Sequence, residues 1–408
     1  MKTFDLVILS NAPGELATWV YPVWQELKRQ ELPIRVSVIL SPCVNASGNE
    51  AELLRSWGID RTLYPQHFWQ FLLWGKTPNW DWYKQGAVLF LGGDQLYAVI
   101  IGKRLQYPIL IYAEWTARWV QFVDYILARN PTVKVPAKYQ HKLKIVGDLM
   151  LCRSSVRSAD QPFPNYIPDQ PLIGLLPGSK GHKLRVGVPL LLNTAARLAR
   201  TGRNLQFVIP LAPTVTTAKL MSYAPANFVL EGDRILLPTG QFVHIYSKFP
   251  AQNLLTKTTI CLTTVGANTA ELASLGVPML VILPTNWDYI DVRVGWDGLL
   301  GIFNANPMIS RWINKLMVYQ IRQKKQKLAW PNIWAGREIV PELLGEISPE
   351  LLTAKVHYYL DHPEELAQMR QNLLAVAGQN GAQSADQQIV NLIHALSCKS
   401  CHQASPSP

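Results

Sequence analysis

Two short stretches of the chain put small and basic residues where an apolar strand runs into a helix. LLPGSKGHK, from Leu175 to Lys183, passes from a strand through proline, glycine and serine to two lysines, and TTVGANTAELASLGVPMLVIL spans residues 263 to 283. The first amides of a helix have no intrahelical partner and sit at the positive end of its dipole, so a turn of small residues there favours an anion, phosphate above all. Gly178 and Ser179 offer such donors beside Lys180, and Gly266, Asn268 and Thr269 belong to the second turn. Glu271, half a turn into the following helix, can cap it or accept from both hydroxyls of a ribose whose phosphates rest on the preceding amides. Ordinary turns with solvated lysines are the competing reading; two such turns in one domain favour a nucleotide.

A third stretch, WPNIWAGREIVPELL from Trp330 to Leu344, predicts a helix carrying Arg337 and Glu338. Arg337 beside a phosphate turn would neutralise a leaving diphosphate through bidentate contacts, and an Arg337–Glu342 surface pair is the plain alternative. Asp94 lies just past the strand AVLFLG, the end at which parallel sheets place ligands. It is the first candidate for a general base that takes a hydroxyl proton, with capping of the next helix as its other role. Glu15 and His67 stand in reserve. No His, Cys and carboxylate cluster has metal-ligand spacing, so no metal is expected.

The elements that must position these residues are legible as apolar runs. DLVILS (from Asp5), RVSVIL (Arg35), AVLFLG (Ala87), PILIYA (Pro108) and KLKIVG (Lys142) form one series. LIGLLPGS (Leu172), LQFVIPL (Leu205), FVHIYS (Phe242), ICLTT (Ile260) and PMLVILP (Pro278) form another. Continuous apolar strands alternating with amphipathic helices make parallel sheets covered on both faces, an α/β fold of two doubly wound, Rossmann-like domains facing a cleft. At 408 residues the chain is long enough for two cores. Residues 1–155 form the first predicted domain, 156–171 a proline-rich linker, and 172–346 the second domain. Residues 347–397 are helices crossing the junction, and 398–408 a disordered tail.

Thirty-nine Lys and Arg against 28 Asp and Glu give a net charge of +11, which calls for an anionic partner. The sequence offers no recognised nucleic-acid module, so nucleic acid ranks last. A membrane surface ranks higher. HFWQFLLWGKTPNWDWYK, from His67 to Lys84, concentrates aromatics that favour a lipid interface, Trp69 and Trp74 among them. MISRWINKLMVYQIRQKKQK, from Met308 to Lys327, puts Trp312 on an apolar helix face and follows it with Lys324 and Lys325, the pattern of an interfacial basic helix. A core-packed helix with a solvated end is the alternative. No uncharged apolar run reaches the ~18 residues of a membrane span, and the N-terminus lacks a signal peptide's apolar region, so a cytoplasmic protein, peripheral on the inner face of the membrane, is expected. Five scattered cysteines argue against a disulfide framework. CKSCH, ending at His402, has haem-attachment spacing but lies in a polar tail with no domain to bury a haem.

Taken together, LLPGSKG, GANTAELASLGVPMLV and PNIWAGREIVPELL resemble, in order and spacing, three segments of the lipid-A-disaccharide synthase family, and the likeness extends weakly from about Asp5 to Leu396. The resemblance implies a GT-B fold and an inverting glycosyltransferase with no cofactor. Such an enzyme binds a UDP-sugar, of N-acetylglucosamine type, in the second domain and a lipid-linked sugar acceptor in the first, and tends to form homodimers. It implies that Gly178, Ser179 and Lys180 lie near the diphosphate, that Gly266, Asn268, Thr269 and Glu271 surround the nucleotide, and that Asn332 and Arg337 close the site. Lys180 stands where the family has arginine, and Lys183 replaces an acidic residue. NAPGELATW keeps only Gly14 and Glu15 of the family's first loop, and FLGGDQ keeps only Asp94 of its D-x-P-D-F-N loop. The donor half is retained and the acceptor half altered, so the acceptor is expected to differ. A UDP-sugar 2-epimerase-like isomerase and a non-catalytic sugar-nucleotide or lipid-binding homologue are the rivals.

Overall fold

The computed structural model describes residues 3–43, 46–151, 163–284, 327–378 and 384–402. The chain divides into two compact units, Met1–Cys152 with Asn380–Pro408, and Arg153–Gln379.

The first unit holds seven parallel strands: β1 (Phe4–Ser10), β2 (Ile34–Leu40), β3 (Arg61–Leu63), β4 (Gly86–Phe90), β5 (Ile109–Ala113), β6 (Tyr125–Ala128) and β7 (Leu143–Ile145). Their order is β3-β2-β1-β4-β5-β6-β7. Side chains alternate across a strand, and here both faces are buried. Leu6, Ile8, Val36, Val38 and Leu89 pack into one core, while Val7, Leu9, Ile39, Val88 and Phe90 pack into the other. Between β1 and β4 the strand order reverses direction, which opens a crevice at their carboxyl ends. Helix α1 (Tyr21–Arg29) is entered from Pro13–Glu15 through a π-helical turn, Leu16–Val20. Helices α2 (Phe68–Trp74) and α3 (Gln95–Leu105) follow β3 and β4.

The second unit repeats the plan with β8 (Leu172–Leu176), β9 (Gln206–Pro210), β10 (Val229–Glu231), β11 (Arg234–Leu236), β12 (Phe242–Tyr246), β13 (Ile260–Thr264), β14 (Met279–Pro284) and β15 (Glu342–Gly345). The order is β10-β11-β12-β9-β8-β13-β14-β15, with the hairpin β10-β11 added antiparallel at one edge. Its reversal point lies between β8 and β13, the two strands that feed the glycine turns. Helix α4 (Gly181–Ala199) follows β8, α5 (Ala267–Ser274) follows β13, and α6 (Trp330–Ala335) precedes β15.

The C-terminal helices do not act as one element. Side chains of α7 (Pro349–Asp361) and α8 (Pro363–Ala377), including Leu352, Val356 and Leu373, belong to the second unit's core. Ala385, Ile389, Val390 and Ile393 of α9 (Ala385–His402) enter a core of the first unit. Cys398–His402, expected in a disordered tail, continues α9. Of the expected linker, residues 163–171 are built onto the second unit: Phe163 packs with Leu172, Val208 and Leu254, and Gln206 bonds the backbone of Ile167 in both directions.

Candidate functional site

The two glycine turns of the second unit stand at the carboxyl ends of β8 and β13, which pair in parallel from Ile173 against Ile260 to Leu176 against Thr263. Adjacent strands bring their turns together. Gly178 has φ +98°, and a Cβ there would stand 3.0 Å from both Thr264 Oγ1 and Lys183 Cδ, so only glycine lets the two turns approach this closely. Thr264 Oγ1 donates to the Pro177 carbonyl, and Gly187 lets α4 pack against Pro177, since a Cβ there would stand 3.0 Å from the Pro177 backbone. Neither helix start has a capping side chain or an acidic residue in its first turn. A helix start without a side-chain cap is where an anion would bind.

Lys180 is the N-cap of α4, and Lys183, three residues on, donates to the Val265 carbonyl across the gap. Burial, with Lys180 nearby, lowers the Lys183 ammonium to about 8. Glu271 stands on α5, and burial raises its carboxyl to about 7. Thr269 holds two elements together, since its hydroxyl donates to the Gly266 carbonyl at 2.8 Å and accepts from Trp330 N at 3.1 Å, tying α5 to α6.

Asn332 is fully buried, with every hydrogen-bonding site occupied. Its amide donates to Val340 O and Glu342 Oε1, and its carbonyl accepts from Ile339 N and Val340 N. It shapes the loop that follows α6. Arg337 and Glu338, expected on a helix, lie in that loop instead, because Gly336 (φ +65°) ends α6 and the chain then extends into β15. Arg337 is exposed and reaches Asn372 at 3.5 Å, whereas Glu342 accepts from Leu328 N and Ala329 N.

In the first unit Asp94 caps α3: Oδ1 accepts from Leu96 N at 2.9 Å. Glu15 approaches the same edge, since a Cβ at Gly92 (φ +143°) would meet Glu15 Cγ at 3.3 Å and Asn11 Oδ1 at 3.2 Å. Asn11 Oδ1 and Trp19 Nε1 are buried with no hydrogen-bond partner among the described residues. His67 starts α2, as its N-cap.

A cluster that the motifs did not announce completes this edge. Glu114 immediately follows β5, Arg129 follows β6, and Asp148 follows β7. Arg129 Nη1 lies 3.7 Å from Glu114 Oε1, Arg129 Nε lies 3.7 Å from Asp148 Oδ2, and the guanidinium sits 4.4 Å over the Trp115 ring. Burial, opposed by Arg129 and helped by Asp148 and Glu15, raises the Glu114 carboxyl to about 7, where a group can both take and release a proton near neutrality. Desolvation likewise raises Asp148. Their shared signal is position: each stands within three residues of the carboxyl end of a strand.

Trp69 and Trp74, on α2, are 47% and 65% exposed. Trp69 meets Tyr97 of α3 edge-on at 5.8 Å, and Gln95 at the start of α3 bonds Thr116 O and Arg118 N. Those bonds place α2 near the loop bearing Trp115, Trp119 and Phe122, also exposed. Trp312, Lys324 and Lys325 lie outside the described residues. Among the described residues no group could hold a metal ion, and no helix is long and apolar enough to cross a membrane.

No protein-family model matches the chain. It is 25% identical over 301 residues to a lipid-A-disaccharide synthase of Persephonella marina, covering 73% of this chain and 67% of that one. It is 30% identical over 189 residues to the lipid-A-disaccharide synthase of an Anaeromyxobacter species (strain K), covering 46% of this chain and 39% of that one. In three dimensions it matches a putative UDP-N-acetylglucosamine 2-epimerase from Listeria monocytogenes (TM-score 0.56, 14% identity, 100% of this chain, 99% of that one). A co-structure of S. aureus MnaA with UDP matches similarly (TM-score 0.55, 13% identity, 100% and 99%). These two show the fold. The two Rossmann-like units have the GT-B fold, and the sequence is similar to curated lipid-A-disaccharide synthases, most of which it spans over about half their length or less.

Proposed function

We propose that the protein is an inverting glycosyltransferase that moves a sugar of N-acetylglucosamine type from a UDP-sugar to a lipid-linked sugar acceptor. The observation that carries this reading is the second unit's pair of uncapped helix starts, α4 and α5, flanking the β8/β13 reversal point with Lys180 and Lys183 beside them. A nucleoside diphosphate fits there, with Gly178, Ser179, Gly266 and Asn268 giving the backbone approach and Glu271 accepting from ribose hydroxyls. Binding of UDP by MnaA, which has the same fold, supports that ligand class.

In the transfer, the acceptor oxygen bonds to the anomeric carbon as the bond from that carbon to the diphosphate breaks. The electron pair leaves with UDP, and the hydroxyl proton passes to a base on the first unit. Glu114 suits that role better than Asp94, because its carboxyl titrates at about 7 and Asp94 is engaged as a cap. Glu15 shares the edge and would orient the acceptor. The exposed Trp69 and Trp74 support an acceptor presented at a lipid surface.

The test is purified protein with UDP-N-acetylglucosamine and a panel of lipid-linked glucosamine acceptors, followed by NMR of the new anomeric linkage. UDP release with an inverted linkage is the expected result. Conversion of the donor to its 2-epimer without acceptor would contradict the transferase reading in favour of an isomerase.

A further inference from the structure

Lys183 occupies a position that the anion-binding turn does not require. It is the third residue of α4, where the helix dipole disfavours a cation, and Lys180, another cation, stands just ahead of it. Its side chain fills the space between the two glycine turns: a Cβ at Gly266 would lie 2.8 Å from Nζ, and one at Gly178 3.0 Å from Cδ. Among the described residues the acceptor bonded to Nζ is a neutral carbonyl, that of Val265, and no carboxylate there lowers the cost of its charge. A cation kept at such a site without a counter-ion is matched by an anion that arrives from outside.

We propose that Lys183 is the phosphate-binding cation of the second unit and that binding of a nucleoside diphosphate draws a proton onto its amine. The proposal rests on the nucleotide reading above and adds the group that recognises the phosphates. Lys180, in its own turn, is the charged group that acts on it, His182 is its neighbour in sequence, and Tyr223 borders the same turn, with its hydroxyl 3.3 Å from a Cβ placed on Gly181; Glu271, on α5, does not act on it. With the amine at about 8 in the free protein, it is mostly neutral at pH 9 and mostly charged at pH 7. An adjacent diphosphate favours the charged form, so binding takes up little proton at pH 7 and close to one at pH 9. At pH 9 the terminal phosphate, with a second pKa of about 6, is already ionised and contributes nothing to that uptake.

The experiment is calorimetric titration of the full chain with UDP at pH 7 and pH 9, in buffers of different ionisation enthalpy. Wild type is expected to show buffer-dependent heat at pH 9 that reports an uptake approaching one proton. Lys183→Met should lose the uptake and bind at least tenfold more weakly. Lys183→Arg, always charged, should bind without uptake, which also guards against a folding defect in the methionine variant. Glu271→Gln should keep the uptake at pH 9. Uptake that persists in Lys183→Met, or wild-type affinity in that variant, would overturn the proposal and leave the nucleotide site standing. Absence of UDP binding by wild type would overturn the nucleotide reading, and this proposal with it.

Discussion

Arg129 Nη1 lies 3.7 Å from Glu114 Oε1, and the two side chains are only 3% and 19% exposed. Burial lifts the Glu114 carboxyl and the arginine restrains it, leaving it at about 7. If Glu114 is the base, kcat/KM rises with pH through about 7 as the carboxylate forms. Arg129→Met removes the restraint, so that limb should move to higher pH by about one unit. An unmoved limb would show that another group titrates.

Asp94 and Glu114 make opposite predictions for conservative variants. Asparagine caps a helix about as well as aspartate, so Asp94→Asn should keep turnover within a few-fold of wild type. Glu114→Gln removes only the proton acceptor and should lower kcat by about 100-fold or more, with UDP affinity unchanged. Loss of turnover in Asp94→Asn would return the base to Asp94.

Asn332 holds four hydrogen bonds inside the second unit, to Ile339, Val340 (two) and Glu342. Asn332→Ala strands buried donors and acceptors and should cost about 3 kcal/mol of stability. Thermal unfolding would show a clear drop in Tm. A variant that keeps its Tm but loses UDP binding would instead make Asn332 a direct ligand.

How far the sequence reached depended on which strands it made visible. The apolar runs marked β1, β2, β4, β5, β7, β8, β9, β12, β13 and β14, so the turns after β8 and β13 could be read as belonging to one sheet. Tyr125–Ala128 has only four residues and no clear flank, and β6 went unread. With it went the reason Arg129 meets Glu114, although the strand ending at Ala113 was visible. The resemblance to the lipid-A-disaccharide synthases pointed to Asn332 and Thr269 as nucleotide-site residues. Their burial and partners come from tertiary packing, which spacing alone does not encode.

The aromatic surface of the first unit is open to a direct check. Trp69 and Trp74 are about half and nearly two thirds exposed, so Trp69→Ser with Trp74→Ser should leave Tm nearly unchanged. The same pair should reduce pelleting with anionic vesicles several-fold, since interfacial tryptophans contribute through burial at the headgroups. Equal pelleting would assign membrane contact, if any, to another surface.

The central claim is a UDP-sugar site between the starts of α4 and α5, and calorimetric titration with UDP-N-acetylglucosamine tests it most directly. Wild type should bind at neutral pH or above. Burial raises the Glu271 carboxyl to about 7, so if Glu271 accepts from ribose as a carboxylate, affinity should fall as the pH drops below 7. Glu271→Ala should weaken binding at least tenfold and abolish that pH dependence. Failure of wild type to bind either UDP-N-acetylglucosamine or UDP would contradict the account and reduce the likeness to glycosyltransferases to one of fold.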